Sequence, residues 1–160
     1  MPEAQPDYRI RPAELADVPV IAHHRAAMWR DISGLSPEEY AALRQACEEW
    51  TRGLFQKGEY AGWVVEQGGT AVAGGGLLIR EHGPYSGRYS PGRWAHIVNV
   101  YTEPAHRRRG LARLVMQTIL AWCAEQEFAD VTLTASDEGR PLYESLGFAP
   151  TNDMRLMRRP

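Results

Sequence analysis

Three consecutive arginines followed by a glycine stand near the middle of the sequence and could bind a phosphate group. Arg107, Arg108 and Arg109 precede Gly110, and a run with the apolar spacing of an amphipathic helix begins at Leu111. The first backbone N–H groups of a helix have no partner inside it and attract anions. Guanidinium groups add positive charge beside them. The stretch therefore predicts a site for a multiply charged phosphate, and the alternative is a solvated basic turn before a core helix.

The elements that must position this loop follow from hydrophobic periodicity. Predicted strands cover 8–11, 60–66, 70–80, 94–102, 130–136 and 154–157, and predicted helices begin near 13, 36, 111 and 139. The strand 94–102 is nearly continuous in apolar and β-favouring residues, as expected for a central strand that is covered on both faces. Ser36, Pro37 and Glu39 form the pattern of a helix cap. The glycine triplet 74–76 lacks a phosphate-loop motif and predicts a bulge or a close backbone approach.

Composition favours one globular domain over residues 1–160, with a core of about 8–158. The chain has 160 residues and a formal net charge of −2, so no overall basic field points to nucleic acid. Cys47 and Cys123 stand far apart without further ligands at metal spacing, which predicts reduced core residues and no metal. No apolar run approaches the ~18 residues of a membrane span, and residues 1–7 lack the apolar region of a signal peptide. We expect a cytoplasmic protein without a membrane partner.

Two separated motifs resemble those of the GCN5-related N-acetyltransferase (GNAT) family. Residues 107–112 match the pattern Gln/Arg-x-x-Gly-x-Gly/Ala, and Leu-Tyr-Glu-Ser-Leu-Gly-Phe at 142–148 matches a motif near the end of family members. The element order over 8–158 also matches. The resemblance implies a single-domain α/β fold: a mixed, mostly antiparallel twisted sheet, a parallel pair splayed at the central strands, and helices on both faces. It also implies acetyl transfer from acetyl-CoA to a primary amine by direct attack, without an acyl-enzyme intermediate.

The same resemblance implies the residues that bind coenzyme A. The backbone of the strand end would pair with the pantetheine arm, the basic loop would hold the pyrophosphate, and Ser136 stands where many members carry an asparagine that contacts the cofactor. These residues are Val100, Tyr101, Thr102, Arg107, Arg108, Arg109, Gly110, Leu111, Ala112, Arg113, Ser136 and Tyr143. A backbone N–H on the same strand would hold the oxyanion.

Proton transfer is assigned to two side chains. Tyr143 matches the general acid of the family, and a phenol with a pKa of about 10 is protonated at neutral pH. His96 lies on the central strand where some relatives carry a catalytic glutamate, and imidazole titrates near neutrality. The base is either His96 or a chain of waters, and a hydrogen-bonded strand histidine is the structural alternative. Glu103 precedes Pro104, where a solvated turn carboxylate is expected.

The acceptor side is less well defined. The first two helices and the loop before the central strand usually line it in the family, which makes Trp29, Asp31 and Tyr85 the candidate substrate-binding residues. The expected partner is a small-molecule or protein amine, and whether the chain forms a homodimer is left open. Two other functions compete with the transferase: a non-catalytic domain that binds or senses acyl-CoA, and a plain phosphate or nucleotide binder.

Overall fold

One mixed sheet of five strands organises the computed structural model, which describes residues 7–158. The strands are β1 (Tyr8–Pro12), β2 (Tyr60–Gln67), β3 (Thr70–His82), β4 (Gly92–Thr102) and β5 (Asp130–Leu133), and the helices are α1 (Val18–Ser33), α2 (Pro37–Lys57), α3 (Leu111–Glu125) and α4 (Arg140–Ser145). Neighbours in the order β1-β2-β3-β4-β5 are antiparallel except β4 and β5, which are parallel. The prediction about the N-terminal segment lies almost wholly outside the described residues. Within 7–158, no helix has the length and apolar content to cross a membrane.

Helices cover both faces of the sheet. Ile21 of α1 and Leu54 of α2 pack against Leu78 on one face, while Val115 of α3 packs against the neighbouring Leu77 on the other. Successive strand residues point to opposite faces, so β3 serves both layers of the core. Both cysteines are buried and free. The predicted α/β class with a mixed, mostly antiparallel sheet is confirmed.

The helix ends follow the predicted capping chemistry. The backbone N–H of Glu39 donates to Ser36 Oγ at 3.1 Å, and the backbone N–H of Ser36 donates to Glu39 Oε2 at 2.8 Å. Pro37 takes the first helical position. The first helix begins later than predicted, because a short 3₁₀ turn at Leu15–Asp17 precedes Val18.

A bulge in β4 lies opposite the glycine triplet of β3. The pairing passes from Gly76 with Val98 to Gly74 with Tyr101, so one residue of β3 faces two residues of β4. Asn99 takes up the extra length with a φ of 62°, in the left-handed region that asparagine tolerates better than most residues. A bulge bends its strand and increases the local twist.

The triplet also permits the close approach that its sequence predicted. A Cβ on Gly75 would lie 2.8 Å from Val115 Cγ1 and 3.2 Å from Val100 Cγ2. A Cβ on Gly76 would collide with the Tyr60 hydroxyl. Both parts of the glycine prediction are therefore confirmed, since α3 and the buried Tyr60 ring press on β3 from opposite faces.

Two predictions near the C-terminus are wrong. β5 ends at Leu133 instead of residue 136, because the chain then turns towards α4. The segment 154–157 forms no strand within the described residues, and Met154, Leu156 and Met157 are exposed. Strand-like composition produces a strand only where a partner strand is available, and this segment has none in its own described chain. The parallel pair consequently lies at an edge of the sheet.

His24 is a buried histidine at the packing surface between α1 and the sheet. Its side chain is 2% exposed, its ring lies 5.4 Å from the Tyr101 ring, and Nε2 has no hydrogen-bond partner among the described residues. Burial lowers the pKa of His24 to about 4; the nearby carboxylate of Glu103 acts in the opposite direction, and His23 adds to the lowering. The ring is therefore neutral at neutral pH.

Replacing Gly75 with alanine should destabilise the fold. The added Cβ must displace side chains of α3 and β4, and overpacking of this kind costs about 1–3 kcal/mol. Gly53→Ala is the matched control, because Gly53 lies inside α2 with open space around it. That change should add roughly 0.5–1 kcal/mol of stability. Urea unfolding of both variants tests the comparison, and a Gly75→Ala variant as stable as the native chain would contradict it.

Acidification should weaken the fold through His24. An unfolded histidine has a pKa near 6.5, so the unfolded state binds a proton that the folded state resists until the pH approaches 4. The free energy of unfolding should fall by up to about 1.4 kcal/mol per pH unit between these values. Urea unfolding at several pH values measures the slope. His24→Gln should have a shallower slope, and equal slopes in the two proteins would contradict this origin.

Candidate functional site

The two parallel strands separate into a fork at the predicted coenzyme A site. β4 pairs with β5 only from Trp94 to Ile97, opposite Asp130 to Leu133, and then continues alone on that side to Thr102. The residues of β4 beyond Ile97 have no strand partner on this side within the described chain. Backbone groups without partners favour a ligand that offers its own amides. The predicted residues Val100, Tyr101 and Thr102 all lie on this free segment.

The bulge residue Asn99 lies at the base of the fork and is held by its side chain. Asn99 is 3% exposed. Its Oδ1 accepts a hydrogen bond from Arg25 Nη1 at 2.9 Å, and its Nδ2 donates to the Tyr60 hydroxyl at 3.5 Å. Sequence reasoning assigned no role to Asn99. The available signal was a polar asparagine within a strand rich in apolar and β-favouring residues.

The loop between β4 and α3 presents the predicted anion site. Arg108 and Gly110 have φ values of 62° and 77°, and α3 begins at Leu111 without a side-chain cap. Its first N–H groups therefore remain available to a ligand. Arg108 and Arg109 are exposed and form no ion pair within residues 7–158. Arg113, on the first turn of α3, donates to Ser145 Oγ at 2.9 Å; Ala112 beside it is half-buried.

Arg107 differs from its neighbours because its guanidinium already has partners. Nη2 lies 2.7 Å from Asp31 Oδ2, Nε donates to the Thr102 carbonyl at 3.0 Å, and the group lies over the Tyr101 ring at 5.5 Å. The hydrogen bond that Arg107 donates to Asp31 raises the pKa of Arg107. The structure thus joins Arg107, predicted to bind coenzyme A, and Asp31, predicted to bind the amine, as an ion pair. The pairing partly neutralises both charges.

Ser136 and Tyr143 lie beyond β5, on the other arm of the fork: Ser136 precedes α4 and Tyr143 belongs to it. Ser136 Oγ accepts a hydrogen bond from the Gly139 backbone N–H at 3.1 Å. A Cβ on Gly139 would lie 2.8 Å from the Tyr143 ring and 3.1 Å from Ser136 Oγ, so the two predicted residues are neighbours. Tyr143 lines a cavity of about 210 Å³ together with β5 and the segment after α4. Burial raises the pKa of the Tyr143 phenol, which therefore stays protonated at neutral pH.

His96 lies in the paired part of the fork rather than in its open part. Its Nδ1 forms a hydrogen bond with Thr132 Oγ1 at 2.8 Å across the parallel pair. Burial lowers the pKa of His96, and the nearby positive charge of Arg80 lowers it further. The ring is therefore neutral at neutral pH, as a base must be, although one nitrogen is already occupied by the strand contact.

The predicted acceptor residues do not form one group. Trp29 and Asp31 lie at the C-terminal end of α1, where their side chains are 39% and about 40% exposed. Tyr85 lies in the loop before β4 and contacts the His82 ring at 5.3 Å. β4 has 11 residues, so the two places are separated by roughly 35 Å of strand. Asp31 reaches the end of the fork through its ion pair with Arg107, whereas Tyr85 lies at the opposite end of β4.

A polar cluster beside the fork was not predicted from the sequence. His23 Nε2 lies 2.6 Å from Glu103 Oε1, and His23 Nδ1 is hydrogen-bonded to the Tyr40 hydroxyl. His24 Nε2 is 3.8 Å from the same carboxylate oxygen. The expectation of a solvated carboxylate at Glu103 is wrong, because α1 delivers His23 to it. Adjacent histidines on a helix were the available signal, but their partners lie 17 and 80 residues away.

Sequence comparisons relate the chain to known acetyltransferases. The family model for the acetyltransferase (GNAT) family matches residues 25–148. The chain is 31% identical over 95 residues to N-acetyltransferase 8 of Rattus norvegicus. The matched region covers 57% of this chain and 40% of that protein. The chain thus spans less than half the length of the curated relatives it matches.

Solved structures share the fold over nearly the whole chain. A GCN5-related N-acetyltransferase from Ralstonia eutropha JMP134 is 32% identical with a TM-score of 0.84, over 95% of this chain and 99% of that one. A predicted acetyltransferase from Clostridium acetobutylicum, solved with acetyl-CoA, is 22% identical with a TM-score of 0.83, over 95% and 96% of the two chains. The family match covers both the fork and the basic loop, and the chain belongs to the GNAT acetyltransferase family.

Proposed function

We propose that the chain transfers an acetyl group from acetyl-CoA to a primary amine by direct attack, without an acyl-enzyme intermediate. The observation that carries this proposal is the continuity of the fork with the basic loop. The free edge of β4 ends at Thr102, and the uncapped start of α3 follows at Leu111. An extended ligand that carries amides at one end and phosphates at the other matches these two features in order. Support for acetyl-CoA as that ligand comes from family membership.

The chain's own residues suit such a donor. The backbone of Val100, Tyr101 and Thr102, on the side without a strand partner, would pair with the amides of the pantetheine arm, as an added strand pairs with a sheet edge. The Thr102 carbonyl already accepts a hydrogen bond from Arg107 Nε. Arg108, Arg109 and the first N–H groups of α3 would hold the pyrophosphate. When bound, acetyl-CoA supplies a thioester whose carbonyl carbon accepts the amine. A backbone N–H of the free β4 segment would stabilise the oxyanion that develops there.

Tyr143 is the residue we assign to protonation of the leaving sulfur. Its phenol is half-buried and protonated at neutral pH, since burial raises its pKa. A thiol has a pKa near 8.5, so proton transfer from a phenol to the thiolate costs about 2 kcal/mol in water. A positioned donor can accelerate such a step by roughly 10²–10⁴-fold. His96 stays a candidate for the opposite task of taking a proton from the amine.

The two free arginines should control coenzyme A affinity. Loss of a hydrogen bond to a charged group costs about 1.5–3 kcal/mol, so Arg108→Gln and Arg109→Gln should each weaken binding roughly tenfold or more. Arg44→Gln on the exposed face of α2 is the matched control. Calorimetry with coenzyme A gives the affinities. ADP should bind much more weakly than coenzyme A, and equal affinities would favour a plain nucleotide binder.

Tyr143→Phe should lower turnover while leaving acetyl-CoA affinity nearly intact. The variant keeps the ring packing and removes only the proton donor, so kcat should fall by about 10²-fold or more. Thiol release with a panel of amines, namely an aminoglycoside, spermidine, L-lysine and a short peptide, measures turnover. Unchanged turnover would remove Tyr143 from the mechanism. Tight acetyl-CoA binding by the native chain with no amine-dependent release across the panel would favour an acyl-CoA sensor.

A further inference from the structure

Tyr40, His23 and Glu103 form a hydrogen-bonded chain of hydroxyl, imidazole and carboxylate. They come from α2, α1 and the turn after β4, so only the folded chain brings them together. His23 bonds to Glu103 through Nε2 at 2.6 Å and to the Tyr40 hydroxyl through Nδ1. We name these three residues the relay.

The chemistry of the groups fixes the direction of the relay. An ionised carboxylate only accepts hydrogen bonds, so Glu103 requires the proton of His23 on Nε2. In a neutral imidazole the other nitrogen is then an acceptor, and Tyr40 must donate its O–H to Nδ1. The order hydroxyl, imidazole, carboxylate is the one by which a histidine activates a hydroxyl oxygen in hydrolytic triads.

The neighbouring groups favour proton transfer along the relay. His24 is neutral, so it leaves the Glu103 charge to balance an imidazolium at His23. The Arg30 guanidinium lies over the Tyr40 ring at 4.9 Å, where it stabilises negative charge on the phenol. Asp31 and Arg107 face the same region but are paired with each other at 2.7 Å. Tyr101 of β4 lies 6.4 Å from His23 between ring centres.

The relay lies beside the open part of the fork and within reach of solvent. Glu103 directly follows Thr102, the last residue of the free β4 segment. The side chains of His23 and Glu103 are 29% and 28% exposed, whereas His24 beside them is 2% exposed. An amine that reaches this end of β4 can therefore contact the relay, while His24 is shielded from it.

We propose that the Tyr40 oxygen, backed by His23 and Glu103, takes the proton from the acceptor amine. This inference rests on the proposed transferase function and assigns its base. An amine with a pKa near 10.4 is almost fully protonated at pH 7, a handicap of roughly 4–5 kcal/mol for attack. A base at the acceptor side removes part of that cost.

The protons balance as follows. The ammonium gives one proton to the Tyr40 oxygen while the Tyr40 proton passes to His23 Nδ1, and Glu103 pairs with the resulting imidazolium. The amine lone pair forms the new C–N bond, the C–S bond breaks, and Tyr143 gives its proton to the departing sulfur. The second amine proton then restores the Tyr143 phenol. His23 returns the first proton to solvent through Tyr40. Ammonium and thioester thus become amide, thiol and one released proton.

The test is the pH dependence of His23→Gln and Tyr40→Phe. With the best amine of the panel, kcat/KM at pH 7 should fall by about 10²-fold in His23→Gln and Tyr40→Phe. The deficit should shrink below about tenfold at pH 9.5, where more of the amine is already neutral. Coenzyme A affinity should stay within twofold. Tyr8→Phe is the control, because it removes another tyrosine–histidine hydrogen bond, to His106 Nδ1 at 3.0 Å, outside the relay.

Other outcomes would overturn the inference. A deficit of equal size at pH 7 and pH 9.5 would mean that the relay only ties α1 to β4. Alkaline rescue of His96→Gln without rescue of the relay variants would place the base at His96. A native chain that binds coenzyme A but acetylates no amine would refute the proposed function and the relay with it. If the variants do not fold, nitrogen NMR of native His23 decides, since a neutral ring protonated on Nδ1 contradicts the relay.

Discussion

The loss of a parallel neighbour by β4 is the constraint on which the candidate site depends. From Trp94 to Ile97 the strand is paired on both sides, and beyond Ile97 the β5 side has no strand partner among residues 7–158. Unpaired backbone groups inside a protein are costly unless something else bonds them. The bulge at Asn99 contributes to the separation, because it twists β4 at the point where the pairing stops. The fork is thus an interruption of strand pairing that contacts elsewhere in the fold stabilise.

Helix α1 provides many of the contacts that stabilise the fork. Lying on one face of the sheet, it bonds to three successive parts of the chain. Arg25 bonds to the bulge in β4, His23 to the turn after the strand, and Asp31 to the basic loop. The apolar contact of Ile21 with the core anchors the same helix further back. One element therefore sets the geometry of the fork on one face of the sheet, while α3 packs against the opposite face.

Local patterns predicted the parts of the molecule that depend on neighbours in sequence. The cap at Ser36 and the crowded glycines near Gly75 are confirmed because short-range chemistry decides them. The pairing of His23 with Glu103 could not be predicted from the sequence, because it depends on how α1 lies across the sheet. The prediction of a strand at 154–157 was wrong because it also depended on a distant contact. A strand needs a partner strand, and the residues of the segment do not specify one.

The extra residue in β4 also shifts the phase of the strand. Before the bulge, Ile97 joins the core on the α3 face and Val98 packs on the α1 face. After it, Val100 packs on the α3 face and Tyr101 meets the histidines of α1. Odd and even positions have therefore exchanged faces across the bulge. The number of residues in this part of β4 is therefore as constrained as their types, since one fewer would turn Tyr101 away from α1.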